Sequence, residues 1–256
     1  MLEFLRGVVL GLAIVLPGIS GGTAALAMGI YQDLLQALAR LRFRPHLRLG
    51  AGLVPGVLGG AWLVSLTLKA VPDVLASFLL GVILATALLL LHRVGAGGWP
   101  RGGQAVLGGI LLLGGFGLAY LLAGERLAET DISTFPVDTP LPLALVGGMF
   151  SSSAMVLPGM SGGTVLVMLG LYDDALAALT GLDIPVLAAF VAGSLVGLFG
   201  VSRLANLAFL RWPSLFRLFL AGLVAGSHRA VLPGRFGLWE ALALGAGFLL
   251  VWRSRE

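Results

Sequence analysis

Residues 15–23 read Val15-Leu16-Pro17-Gly18-Ile19-Ser20-Gly21-Gly22-Thr23, and 141 positions later the chain repeats itself as Val156-Leu157-Pro158-Gly159-Met160-Ser161-Gly162-Gly163-Thr164. Extending the comparison to residues 15–35 against 156–176 gives twelve identities in twenty-one positions, among them Gly29/Gly170, Tyr31/Tyr172 and Asp33/Asp174. Each copy lies in the middle of a long apolar stretch, about 4–40 and about 142–180. Proline removes a backbone donor and glycine disfavours the helix, so a PGxSGG run is expected to unwind a helix at that point.

Outward from these two stretches the chain is almost entirely apolar. Of its 256 residues 58% are hydrophobic and 11% charged, against roughly 45–50% and 25% in a soluble domain. A water-soluble globule is thereby excluded. Six further apolar runs are each long enough to cross a hydrocarbon core of about 30 Å: about 48–70, 74–92, 104–123, 186–209, 215–232 and 236–252. The 39 glycines follow no collagen-like period and fit close helix packing in lipid. With no cysteine, disulfides, thiolate metal sites and a cysteine nucleophile are ruled out. A net charge of +4 is spread too thinly for a nucleic-acid face.

The expected architecture is an all-α polytopic membrane protein built from two repeats, each one broken segment followed by three spans. The first repeat is 1–140, with hairpin 4–40, its spans and an outer loop at 124–140; the second is 141–256, with hairpin 142–180. With a small shift of offset the likeness is expected to continue through Gly56/Gly193 and Gly60/Gly197, and through Gly81/Gly222. Arg6, the apolar run after it and Ala25-Leu26-Ala27 have the outline of a secretory leader. A cleaved leader has no reason to recur in mid-chain, so this segment is expected to stay.

Charge sets the orientation. If both broken segments are re-entrant hairpins, one side receives Arg6, Arg40, Arg42, Arg44, Arg48, Arg93, Arg101, Arg203, Arg211, Arg217, Arg253 and Arg255, and the other only Lys69, Arg126, Arg229 and Arg235. If both segments cross, the split is even. Positive-inside statistics favour the hairpins. Of the acids, Glu3, Asp33 and Glu256 share the basic side, while Glu125, Glu129, Asp131, Asp138, Asp173 and Asp174 are among those on the other. Three crossings between the hairpins then invert the second half relative to the first and place both termini in the cytoplasm. Inverted repeats with discontinuous helices are a transporter architecture.

Helices that begin inside a membrane, here near Gly21 and Gly162, present unpaired amides and a partial positive charge, and so attract an anion. Ser20, Thr23, Ser161 and Thr164 add hydroxyl donors, and the glycines allow close approach of backbone to ligand. A phosphate suits that inventory. The competing structural reading is a helix kink whose freed backbone groups are repaired by Ser and Thr. Candidate phosphate-binding residues are therefore Pro17, Gly18, Ser20, Gly21, Gly22 and Thr23, with Pro158, Gly159, Ser161, Gly162, Gly163 and Thr164. Arg203, mid-way along an expected span, is a candidate counter-charge. Asp33 and Asp174 are candidates to carry a coupling proton or sodium ion, or else to cap helices and pair with arginine. No cofactor or metal is expected. His228 and Arg229 sit at an expected outer helix end, and Arg40, Arg42, Arg44, His46 and Arg48 suit anionic lipid headgroups. Of Trp62, Trp99, Trp212, Trp239 and Trp252 most fall near span ends, as an aromatic belt would place them.

At the two motifs the chain resembles the polyprenyl-phosphate transporter family, long known only as a membrane domain. The likeness is carried by Gly11-Leu12-Ala13, Val15 to Thr23 and Gly29-Ile30-Tyr31, and by Met155 to Gly163 with Leu169-Gly170-Leu171-Tyr172. It implies a bacterial inner-membrane flippase that returns undecaprenyl phosphate, the lipid carrier of cell-wall precursors, to the cytoplasmic leaflet. One departure is Ile14, where the family pattern leads us to expect Asn or Asp. The residues alone leave two other readings open. A small-anion channel or transporter would use the same helix termini. A lipid phosphatase would need a convergent His pair or carboxylate cluster, whereas His46, His92 and His228 are scattered and Asp173-Asp174 is the sole adjacent acidic pair. Monomer and homodimer are both compatible with the sequence.

Overall fold

The helices run α1 (Leu2–Val15), α2 (Gly21–Ala27), α3 (Tyr31–Ala39), α4 (Leu47–Ala70), α5 (Pro72–Ala96), α6 (Gly103–Leu122), α7 (Leu141–Val156), α8 (Gly162–Met168), α9 (Tyr172–Thr180), α10 (Ile184–Arg211), α11 (Pro213–Gly226) and α12 (Leu238–Arg253). The computed structural model describes residues 1–16, 19–123 and 139–253, apart from the side chains of Ser65, Leu68 and Lys69. Pro17, Gly18 and most of the expected outer loop, with Glu125, Arg126, Glu129, Asp131 and Asp138, lie outside the described residues, as do Arg255 and Glu256.

Both long apolar stretches are broken at the expected place. α1 ends at Leu16 (φ −69°, ψ 130°) and α7 at Leu157 (φ −84°, ψ 126°), the extended conformation that a residue before proline adopts. The chain becomes helical again at Gly21 and at Gly162. A second break, not expected, follows seven residues later in each copy. Gly29 (φ +73°) and Gly170 (φ +67°) occupy the left-handed region. The amides of Ile30 and Leu171 reach back to the carbonyls of Ala25 and Leu166, both at 2.9 Å. This is the Schellman end, which favours glycine. The second copy bends by 113° there. Each broken segment is thus three helices rather than a two-armed hairpin.

Among the described residues four helices are long and apolar enough to cross a membrane, α5, α6, α10 and most of α4, and the bent pair α8–α9 makes a fifth candidate. Expected spans 215–232 and 236–252 come out shorter, as the 14-residue α11 and the 16-residue α12. α11 continues as a 3-10 turn through Ser227–Val231 and stops before Leu232-Pro233-Gly234. Its roughly 21 Å of α-helix and roughly 10 Å of 3-10 helix together reach the hydrocarbon thickness. In place of 186–209, α10 runs for 28 residues.

Packing repeats between the halves. α1 lies along α4 as α7 lies along α10, while α5 lies along α12 as α6 lies along α11. The contacts are backbone to backbone at glycine. A Cβ on Gly52 or Gly56 would overlap the carbonyl oxygens of Phe4 or Val8, and one on Gly193 or Gly197 those of Leu145 or Met149. Likewise Gly81 meets Leu244, and Gly222 meets Leu112. The true counterparts are therefore Gly52/Gly193 and Gly56/Gly197, at the unshifted offset of 141, and not the pairs expected from a shifted register. At the centre α5 packs on α11, and Leu79, Ile83, Leu220, Leu223 and Val224 are almost wholly buried. Large apolar side chains on the outer helices, such as Leu58, Leu113, Leu204 and Leu250, stay exposed, the surface expected against lipid tails.

Helix ends also meet. Asp73 accepts from the Gly234 amide at 2.7 Å, Arg229 donates to the Tyr120 carbonyl at 3.2 Å, and residues 97–101 share a cavity with 211–215. One packing is not duplicated: α3 lies on α10, but its counterpart α9 has no comparable packing on α4.

Candidate functional site

The two motifs, 141 residues apart in sequence, meet in space. Ser20 opens α2 as its N-cap, its Oγ accepting from the Thr23 amide at 3.2 Å. The same Ser20 Oγ accepts from the Gly159 amide of the other motif at 3.0 Å. Thr23 Oγ1, fully buried, accepts from that amide at 2.9 Å and lies 3.0 Å from Ser20 Oγ. Gly22 faces Pro158 so closely that a Cβ would come within 3.1 Å of its Cα and N. Gly159 itself has φ +81°, and a side chain there would run into the Leu223 carbonyl of α11.

The second copy is not wired in the same way. Ser161 makes no side-chain cap, and neither its hydroxyl nor that of Thr164 has a partner among the described residues. Both line a cavity of about 680 Å3 together with Ser20, Gly21, Gly159, Gly162 and Gly163. Its remaining wall is apolar, from Ile14, Leu16, Met155 and Leu122, with Ser227 and Ala230 at the end of α11. By helix geometry the first amides of α8 also lack intrahelical acceptors. The cavity thus offers two free hydroxyls and several amides to one acceptor-rich group, over an apolar floor. The expected dipole contribution is smaller than the sequence suggests, because α2 and α8 have seven residues each and few peptide units align.

Of the remaining sequence candidates, Arg203 is elsewhere. Its Nε donates to the Ala39 carbonyl at the end of α3, at 3.3 Å, and it does not line the cavity. A cation at a helix C-terminus satisfies a carbonyl that has no intrahelical donor, and this capping contact is the one Arg203 makes here. Asp33 is exposed. Asp174 is half-buried at the edge of a separate apolar cavity of about 350 Å3 between α7, α8, α9 and α10. Repeat-paired in sequence, the two acids differ in environment. His228 stacks on Phe116 and lies tilted against Tyr120, its Nδ1 2.8 Å from the Ala225 carbonyl, and Arg229 lies over the Tyr120 ring.

Sequence reasoning did not single out Tyr31 as part of this site. Buried, it donates to the Val156 carbonyl at 3.1 Å and so ties the start of α3 to the end of α7. The signal available was its repetition as Tyr172.

An all-helical, multi-pass membrane protein with two converging re-started helices is the class these features define. Over residues 10–47 and 44–241 the chain matches the family described as VCA0040-like, undecaprenyl phosphate translocase-like. It belongs to that family. A relative from Vibrio cholerae serotype O1, named polyprenyl-phosphate transporter, is 27% identical over 98% of this chain and 84% of its own length. Both names describe transport rather than catalysis. No solved structure matches the chain.

Proposed function

We propose that this protein moves undecaprenyl phosphate, or a related polyprenyl phosphate, from the outer to the cytoplasmic leaflet of the bacterial inner membrane. The single observation that carries this reading is the shared cavity of the two PGxSGGT motifs, with the Ser161 and Thr164 hydroxyls free and an apolar wall beside them. A phosphate needs the donors and a prenyl chain needs the wall. Family membership supplies the lipid class.

The two halves act as inverted repeats with both termini cytoplasmic. Three contacts support this: Asp73 with Gly234, Tyr120 with Arg229, and residues 97–101 with 211–215. Each joins helix ends that the re-entrant arrangement puts on one side of the membrane and that two crossing segments would put on opposite sides. The cavity includes Leu122, Ala123, Ser227 and Ala230, the outer ends of α6 and α11 in that arrangement. α3 is docked on α10 while α9 has no comparable packing on α4, the asymmetry expected of an outward-open state. Exchanging these two arrangements gives the inward-open state. A proton or sodium ion at Asp33 or Asp174 drives the exchange in this scheme.

The test is movement of undecaprenyl phosphate in proteoliposomes of purified protein, with inorganic phosphate and chloride as competitors. Lipid movement that is lost in Ser161→Ala/Thr164→Val is the expected result. Transport of a small anion without lipid movement would overturn the substrate.

A further inference from the structure

A second, smaller cavity lies on the far side of α2 from the motif cavity. Its volume is about 60 Å3, and it is lined by Gly29, Tyr31 and Gln32 at the α2–α3 turn, Arg93 near the end of α5, and Phe209 and Arg217 where α10 passes into α11. A single water requires roughly 10–15 Å3, so the space admits a group of several heavy atoms. The two guanidiniums line this one cavity, each within the field of the other. Neither arginine has a carboxylate or hydrogen-bond partner among the described residues, and Asp33, next to Gln32 in sequence, is exposed and does not line the cavity.

Two half-buried like charges side by side repel, more strongly the less water surrounds them. An anion between them reverses the sign of that term. The geometry suits such an occupant. Arg217 stacks over Phe209, its guanidinium carbon 5.4 Å from the ring centre, which leaves the in-plane N–H donors free for bidentate contact. Gly29 (φ +73°) brings the turn to Arg93 without a side chain; a Cβ there would sit 3.8 Å from Arg93 Nη2.

We propose that Arg93 and Arg217 form a second binding site for a phosphate group, on the cytoplasmic side of the motif pair. Its role as the receiving station for a translocated headgroup rests on the transport reading above; the site itself does not. The seven residues of α2 separate the two cavities by about 10 Å. Tyr31 joins them, lining the inner cavity while its hydroxyl holds the Val156 carbonyl beside the second motif. A phosphate leaving the motif cavity towards the cytoplasm meets these arginines next.

Calorimetry on the purified full chain in detergent, titrated with geranyl phosphate and separately with inorganic phosphate, tests this. Wild type is expected to show two binding events for geranyl phosphate. Arg93→Gln/Arg217→Gln weakens one of them at least about tenfold, the loss of a charge-assisted bidentate contact, and Ser161→Ala/Thr164→Val weakens the other. Arg93→Lys/Arg217→Lys retains part of the affinity, and Arg253→Gln, on the same side, retains all of it. Thermal melts establish that each variant is folded. Arginine-dependent binding of inorganic phosphate alone supports the site and assigns it a free anion instead of a headgroup. A folded Gln pair that binds both probes as wild type does overturns the site. Arginine-dependent binding in a protein that moves no lipid would instead overturn the transport reading and leave the site standing.

Discussion

The Gly159 amide is shared by two hydroxyls from the opposite motif, and that sharing has a measurable consequence. Thr23→Val is nearly isosteric and removes one acceptor, leaving Ser20 Oγ at 3.0 Å to hold the amide. The expected cost is about 1 kcal/mol, one net hydrogen bond. Ser20→Ala removes the other acceptor and also the N-cap of α2, for about 2 kcal/mol in all. In the double variant the Gly159 amide has no acceptor left from α2 or its cap, and an orphaned buried donor costs about 1–3 kcal/mol. The Ser20–Thr23 hydroxyl contact, lost in either single variant but only once in the double, offsets about 1 kcal/mol of this, so with an orphaned amide costing about 2 kcal/mol the double loss should exceed the sum of the singles by about 1 kcal/mol, beyond the roughly 0.5 kcal/mol within which independent sites add. At about 2–4 °C per kcal/mol for a chain near this size, Thr23→Val lowers Tm by about 3 °C and the double variant by about 12 °C. The five tryptophans report the melt in detergent. Losses that simply add would refute a shared amide and with it this link between the motifs.

Four further outcomes follow from the same packing. Gly193→Ala, whose new methyl would overlap the Leu145 carbonyl, is expected to destabilise by about 2 kcal/mol or more. Gly59→Ala, with open space around it, should match or exceed wild type in the same melts. Ser161→Ala/Thr164→Val should cut lipid-phosphate movement roughly tenfold while leaving Tm within about 2 °C, because neither hydroxyl has a hydrogen-bond partner among the described residues; a matching fall in Tm would show a structural role instead. Arg203→Gln should leave transport within about twofold, a change of under 0.5 kcal/mol, since that side chain caps α3 and does not line the cavity; a severe loss in the proteoliposome assay would return it to the ligand.

The sequence by itself determined the all-helical membrane class, the recurrence of one motif 141 residues on, and the place where each long segment breaks. These are local properties: apolar run length, the PGxSGG chemistry and the identity of the two motifs all act within a few residues. It also singled out Ser20, Thr23, Ser161 and Thr164, of which Ser20, Ser161 and Thr164 line one cavity while Thr23 is buried against Gly159. The difference between the copies was illegible, because it arises from tertiary packing of near-identical segments. Ser20 and Thr23 are occupied by Gly159 while Ser161 and Thr164 stay free, and nothing in PGISGGT against PGMSGGT distinguishes them. The glycine register was likewise decided only in three dimensions: Gly52, Gly56 and Gly60 are equally spaced, and the carbonyls of Phe4 and Val8 select which of them α1 meets as counterparts of Gly193 and Gly197. Arg203, Arg93 and Arg217 make the same point for charge. A lone arginine in an apolar helix invites a ligand, but whether it meets a helix end, as Arg203 meets Ala39, or shares a cavity with a second arginine, as Arg217 does with Arg93, depends on which distant helix packs beside it.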